Sequence, residues 1–455
     1  MKTNYDVIVV GAATAGSYFA NKLAKAGLSV LIIESKPVEK VGTKYDIFHV
    51  GREDFDKFGI PWPVKGEDYA FEFDSTHVCS AFGNHPKFSP GKVVGMHMHD
   101  YTVRLNRWAI DAGADIAYET EFVSCIYENG KITGVKCRNN GEELEIKAKL
   151  VADCSGIPAV VRRSLPETYG VETFEIDPTD MFYVVLRYIS FTNPDDKMNL
   201  RSWPFYKTWE APQHNPNGAI LGIGANLSFD MCEKVYKEFE SAVKLTPHKI
   251  DYFERGATPY RRPPYSLVSD SFVALGDAAC ITKPSCGEGV TAAMVQMDVV
   301  LDVVIPLLKS GKELSRENLW IINKKYIDAQ GADFANQMAV LIGAVASSAE
   351  ENEYFFENDL IFSTKNFIAM GEGGMPKFSI GEILTMAYRF IKGIVTGKLR
   401  ISTIIALLKA VMNGGKISGH YKKFPTTPAG FDDWCVKADA IWTKCGKMAD
   451  MVSDK

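Results

Sequence analysis

The N-terminal residues constrain the fold more than any other part of the chain. Tyr5 to Val10 (YDVIVV) form a run dominated by β-branched apolar side chains that stops at Gly11. Without a steady alternation of polar and apolar positions, the run reads as a strand covered on both faces, the usual condition of a parallel sheet. A parallel neighbour needs a crossover connection, and the next residues supply one. Ala15 to Ala26 is rich in Ala, Leu and Lys, closes at Gly27, and leads into Ser29 to Glu34 (SVLIIE), a second strand. The spacing therefore predicts a β-α-β unit at the very start of the chain.

The turn inside that unit, Gly11-Ala12-Ala13-Thr14-Ala15-Gly16, matches the dinucleotide fingerprint G-x-G-x-x-G except that Ala13 replaces the second glycine. Gly11 permits a tight turn and Gly16 lets helix and strand approach closely. The helix N-terminus then offers amides and a positive dipole end to a pyrophosphate, which Ala13 and Ala15 would flank. Glu34 ends the second strand, where an acid can accept a ribose hydroxyl. The fingerprint alone does not separate a flavin from a nicotinamide dinucleotide.

Beyond it, residues from about Gly51 to Lys92 lose any clear period and read as loops. Helix is expected from Tyr101 to Ala112, then a hairpin of Glu121 to Tyr127 and Ile132 to Arg138 around Asn129-Gly130. Leu144 to Ala152 leads into Asp153-Cys154-Ser155-Gly156. Strand-like pieces at Met181 to Phe191 and Ala219 to Leu227 suggest an antiparallel second domain. Phe272 to Leu275 is a short strand ending at Gly276-Asp277-Ala278-Ala279, a long helix follows from Gly289 to about Leu308, and the chain beyond Leu319 reads as helical. A length of 455 residues suits two or three domains. The net charge of −5 lacks the basic excess of a nucleic-acid binder. Nine cysteines without a C-x-x-C pair, and an N-terminus that reads as a strand and not a signal peptide, point to the cytoplasm. No 18-residue uncharged apolar run predicts a spanning helix.

Asp153-Cys154-Ser155-Gly156 and Gly276-Asp277-Ala278-Ala279, followed by Lys283-Pro284-Ser285-Cys286-Gly287-Glu288-Gly289, resemble the later flavin motifs of the large hydroxylase-like FAD family. Within it, the D-x-S-G form, the P-x-x-G-E-G stretch and the missing second nucleotide fold look most like the geranylgeranyl reductase branch, over roughly residues 1–305. The resemblance implies FAD as cofactor. Asp153, Gly156, Gly276, Asp277, Pro284, Gly287, Gly289 and Val290 would join Gly11, Ala13, Ala15, Gly16 and Glu34 around it. It implies an α/β fold, α+β overall: a discontinuous Rossmann-like FAD-binding domain (1–75, 93–165 and 266–335), an antiparallel-sheet substrate domain (76–92 and 166–265) and a helical C-terminal region (336–455). Trp209-Glu210-Ala211-Pro212 partly resembles the branch's Y-x-W-x-F-P signature, with Lys207 in place of the Tyr and Ala211 in place of the Phe. No cysteine lies in Gly42 to Gly51, where archaeal lipid reductases of the branch carry one.

The activity so implied is reduction of carbon–carbon double bonds in an isoprenoid or similarly apolar substrate, with hydride from flavin N5 and a proton from a nearby acid. Trp203, Trp209 and Pro212 are candidate substrate-lining residues, and Cys286, Tyr206, His49 and Tyr45 candidate proton donors. Electrons would come from NAD(P)H or ferredoxin. The alternatives are an FAD-dependent monooxygenase or halogenase and a flavin electron carrier, although the halogenase W-x-W-x-I-P motif is absent. His97 and His99 read as loop residues, not a metal site. From Ser379 to Phe424 eight basic residues face one acid, Glu382, and apolar residues recur at helical spacing. This segment is expected either to pack on the core with a solvated basic face or to make a peripheral contact with a membrane surface.

Overall fold

The computed structural model describes residues 2–43, 47–204, 207–344, 347–371 and 376–447. The first strand, Asn4–Val10, lies between two parallel neighbours, Val30–Ile33 and Glu142–Asp153, with Val7 opposite Val30 on one side and Leu150 on the other. Val7, Ile8 and Val9 are completely buried, as the non-alternating pattern requires. Asp115–Ala117 extends the sheet beyond Val30–Ile33. Phe272–Ala274 extends it beyond Glu142–Asp153 and is itself paired with Val268–Ser269. The hairpin of Thr120–Glu128 and Lys131–Asn139 continues antiparallel into Glu142–Asp153. Its turn has both Asn129 and Gly130 at positive φ, +50° and +79°, the backbone a two-residue hairpin needs to match strand twist.

The second sheet runs in the order 248–259, 181–191, 218–226, 208–211, 201–203, 69–78, 87–97, 47–51. Its pairs are antiparallel except Arg201–Trp203 against Tyr69–Val78. Three of these strands fall in or beside the segment expected to be loops, so the chain enters the second sheet near residue 47 and not at 76. Tyr69–Val78 does alternate: Phe71 and Phe73 stack with centroids 5.8 Å apart while the alternate residues Glu72 and Asp74 are exposed. Bulges at both ends of that short stretch hide the period. His97 and His99 are not on a loop either: His97 ends the strand Lys87–His97 and His99 stands in the first turn of the helix Met98–Asp111, its Nδ1 2.7 Å from the Val41 carbonyl.

The helix Val290–Lys309 is long and apolar enough to cross a membrane, with half of its most apolar window buried in the protein. It crosses the first helix, Thr14–Lys25, where the Tyr18 hydroxyl donates to Asp298 at 2.7 Å. The C-terminal residues form further helices. Ile401–Tyr421 packs on Ala332–Ala344, and Phe431–Cys445 folds back so that Trp434 meets the Tyr265 ring edge-on at 5.3 Å. Ile380–Val395 begins at a reciprocal cap of Ser379 and Glu382 and packs Phe390 and Ile394 against the cluster around Tyr354 and Phe355.

Candidate active site

Three loops meet at one edge of the first sheet because their strands are neighbours in register: Val10 is opposite Asp153, and Asp153 is opposite Ala274. Each strand ends there in a small-residue turn, at the carboxyl edge where α/β sheets bind ligands. Gly11 has φ +110°, and a Cβ on it would stand 2.4 Å from the Cys154 carbonyl oxygen. A Cβ on Gly16 would be 1.9 Å from the Gly11 oxygen, so Gly16 serves packing and does not line the site. The helix Thr14–Lys25 has neither a capping side chain nor an acid in its first turn. Its positive end is therefore uncompensated beside Gly11, Ala13 and Ala15, a fit for a pyrophosphate. Glu34 accepts from the Ala12 amide at 2.9 Å and the Lys36 amide at 3.0 Å, which fixes its carboxylate on the wall of the same space.

Gly156, Gly276, Asp277, Gly287, Gly289 and Val290 line this space as well. Asp153 does not. It is fully buried, and its carboxylate accepts from the Ser155 amide and hydroxyl and from the Arg162 amide at 2.6–3.0 Å. Its part is to shape the turn that follows. Pro284 is also set back, its carbonyl accepting from the Tyr260 hydroxyl at 2.7 Å. Glu288 accepts from the Thr291 amide at 2.6 Å and so sits on the N-terminus of Val290–Lys309, with Lys283 3.4 Å away. The positive end of that helix is thus partly answered from within the chain.

From these turns a cavity of about 2570 Å³ runs across the second sheet to the helices at 380–395 and 401–421. Pockets for drug-sized ligands span roughly 300–1,000 Å³, so this one has room for a dinucleotide and a long second ligand. Trp203 and Trp209 line it, with Phe71, Leu186 and Ile220. Pro212 lies outside, because the strand Thr208–Ala211 has ended and Gln213 turns inward to donate to the Ile189 carbonyl at 2.8 Å. Trp209 lies flat on Gly222, where an added Cβ would fall 2.0 Å from the indole. Gly222→Ala is expected to displace the indole and cost about 1–3 kcal/mol in urea unfolding, with flavin retained. An unchanged unfolding midpoint would show that the indole is free to move.

Of the candidate proton donors, Cys286 and His49 line the cavity, while Tyr45 and Tyr206 lie outside the described residues. Burial holds the His49 imidazole below its ordinary range, against the pull of Glu288. Lys207 stands beside them in the cavity wall. Its amine stands 3.4 Å from the Tyr260 hydroxyl and 4.5 Å from the Phe182 ring centre, with no carboxylate partner among the described residues. Burial pushes it down to about 8, opposed by Cys286. Glu210, three residues on, is pushed up to about 7 by burial, against Arg201. The signal in the sequence was the lysine itself, standing where the signature has a tyrosine. A second unforeseen residue is Arg162, fully buried behind the site. Its Nε donates to the Ala278 carbonyl at 2.8 Å and its Nη1 to those of Glu172 and Phe174 at 2.8 and 3.0 Å.

Residues 4–206 match the model of the FAD-binding domain. Over 97% of its length the chain is 25% identical to the digeranylgeranylglycerophospholipid reductase of Sulfolobus acidocaldarius, 98% of which is covered. Along nearly its whole length the chain resembles the geranylgeranyl reductase family. Its fold is that of a geranylgeranyl bacteriochlorophyll reductase-like protein of Thermoplasma acidophilum (TM-score 0.70, 19% identity, 86% of this chain and 98% of that one). The flavin-dependent brominase Bmp2 shares the fold less closely (TM-score 0.56, 17% identity, 86% and 99%). The matched domain makes the chain an FAD-binding protein, and the turns at Gly11, Gly156 and Gly276 are where its residues suit that cofactor.

Proposed function

We propose that this FAD-binding protein reduces carbon–carbon double bonds in an isoprenoid lipid chain, as its resemblance to the geranylgeranyl reductase family suggests, with Lys207 as the proton donor. The observation that carries the reading is the single cavity joining the cofactor turns to an apolar tract long enough for a polyprenyl chain. Each methylene buried there contributes about 0.8 kcal/mol to holding the chain. Reduced FAD, when bound, supplies a hydride to one alkene carbon. Lys207 supplies the proton to the other: an N–H bond breaks, a C–H bond forms, and the neutral amine takes up a proton from solvent to reset. An amine held near 8 is still mostly protonated at neutral pH yet gives up its proton more readily than a free lysine. Tyr260 keeps the amine in place, and Phe182 and Trp209 give the cavity around it aromatic walls.

The test is anaerobic photoreduction of the purified protein, then titration with geranylgeranyl diphosphate or a geranylgeranylated phospholipid. Oxidised-flavin absorbance should return in proportion to product heavier by two hydrogens. Reoxidation that waits for oxygen and yields an oxygenated product would instead establish a monooxygenase.

A further inference from the structure

We infer that the helical hairpin Ile380–Val395 and Ile401–Tyr421 docks this protein on an anionic lipid surface, with the mouth of the cavity against the bilayer. The inference deepens the proposed lipid reading by giving the substrate a route, but it rests on surface observations of its own. A helix on a soluble core shows one apolar face inward and polar residues outward. This hairpin is apolar on both sides. Phe390, Ile394, Ile404 and Leu407 face inward, against the cluster around Tyr354 and Phe355. On the outside Ile380, Leu384 and Tyr388 recur at intervals of about one turn, Val395 follows two turns on, and Ile380 and Val395 are 78% and 80% exposed. The second helix continues the patch with Ile401, Ile405 and Met412. Contiguous apolar surface of this extent marks an interaction site.

Two observations name the occupant. The first is charge. Exposed Lys392, Lys398, Lys409 and Lys416 border the patch and form no ion pair among the described residues. The segment's only acid, Glu382, is held by Lys365 at 2.7 Å and by the Ser379 amide. A second copy of the chain would set like charges against each other across a two-fold axis, whereas an anionic leaflet complements them. The second is continuity with the cavity. Ile383, Ile391, Leu408 and Val411, on the same helices as the patch, are exposed and line the cavity. An isoprenoid chain leaving the bilayer here would pass from lipid to protein without crossing water.

The experiment is flotation of the full-length flavoprotein with phosphatidylglycerol-containing vesicles and with pure phosphatidylcholine vesicles. The wild type should float with the anionic vesicles and lose affinity at high salt. Replacing Lys392, Lys398, Lys409 and Lys416 with Gln should lower that affinity by about fivefold per charge. Leu384→Asp with Val395→Asp, neither of which lines the cavity, should abolish binding to both vesicle types. Flavin content read on each variant confirms that it has folded. Equal flotation of all three proteins overturns the proposal. So does a wild type that ignores vesicles and sediments as a dimer which the aspartate pair splits. Vesicle binding is read without turnover, so an inert enzyme that floats would sink the proposed activity alone, and an active one that does not float would sink this inference alone.

Discussion

Replacing Lys207 with methionine should slow alkene-dependent flavin reoxidation by about 10²–10⁴-fold, the usual worth of a positioned general acid, while flavin content stays at the wild-type level. Methionine keeps the length and apolar stem, so the aromatic cage of Phe182 and Tyr260 remains filled. The pH profile separates proton donation from mere support. The group is active as the ammonium and its pKa is lowered to about 8, so the wild-type rate should be level below about pH 7 and fall about tenfold per unit well above pH 8. In the methionine variant that alkaline limb should vanish. Retention of the limb in Lys207→Met would assign the proton to another group. Glu210, pushed up to about 7, is the first alternative, and its limb would fall one unit lower.

The sequence made the first sheet legible because its signals are local. A buried run, a glycine turn and a helix follow one another within the first thirty-odd residues, and Asn129-Gly130 specifies its hairpin without outside help. The second sheet was legible only in part. Met181–Phe191 and Gly218–Asn226 are long and apolar, whereas Tyr69–Val78 keeps its alternation between two bulges and pairs with a strand more than a hundred residues away. The same limit applied to the site. Residues whose role is backbone shape, such as Gly11 and Gly276, carry it in their type. Asp153 looked like a ligand because a carboxylate in a turn can reach outward or inward, and only the position of the Arg162 amide decides which. The acidity of Lys207 depends on what encloses it, and those walls come from residues 182, 260 and 286.

Arg162→Met should give a protein that is both less stable, by about 3 kcal/mol or more, and poor in flavin. The guanidinium donates to three carbonyls from two places: Ala278 in the Gly276–Ala279 turn, and Glu172 and Phe174 in the segment leading to the second sheet. Each buried carbonyl left without a donor costs about 1–3 kcal/mol, and methionine can satisfy none. The packing of the guanidinium over the Phe174 ring, 4.2 Å from its centre, would also change. Against a total stability of about 5–15 kcal/mol for a typical fold, that is a large share, and it falls on the cofactor first. Ala278 follows Asp277, whose place on the cavity wall depends on the turn that Arg162 anchors, while the Arg162 amide holds Asp153 beneath the neighbouring turn. The Gly276–Ala279 turn thus hangs on this buried side chain, and the Asp153–Gly156 turn on the same residue's backbone amide, which methionine keeps. Urea unfolding and flavin titration on the same preparation test this. A variant that loses stability but binds FAD with wild-type affinity would show that the Gly276–Ala279 turn holds its shape unaided.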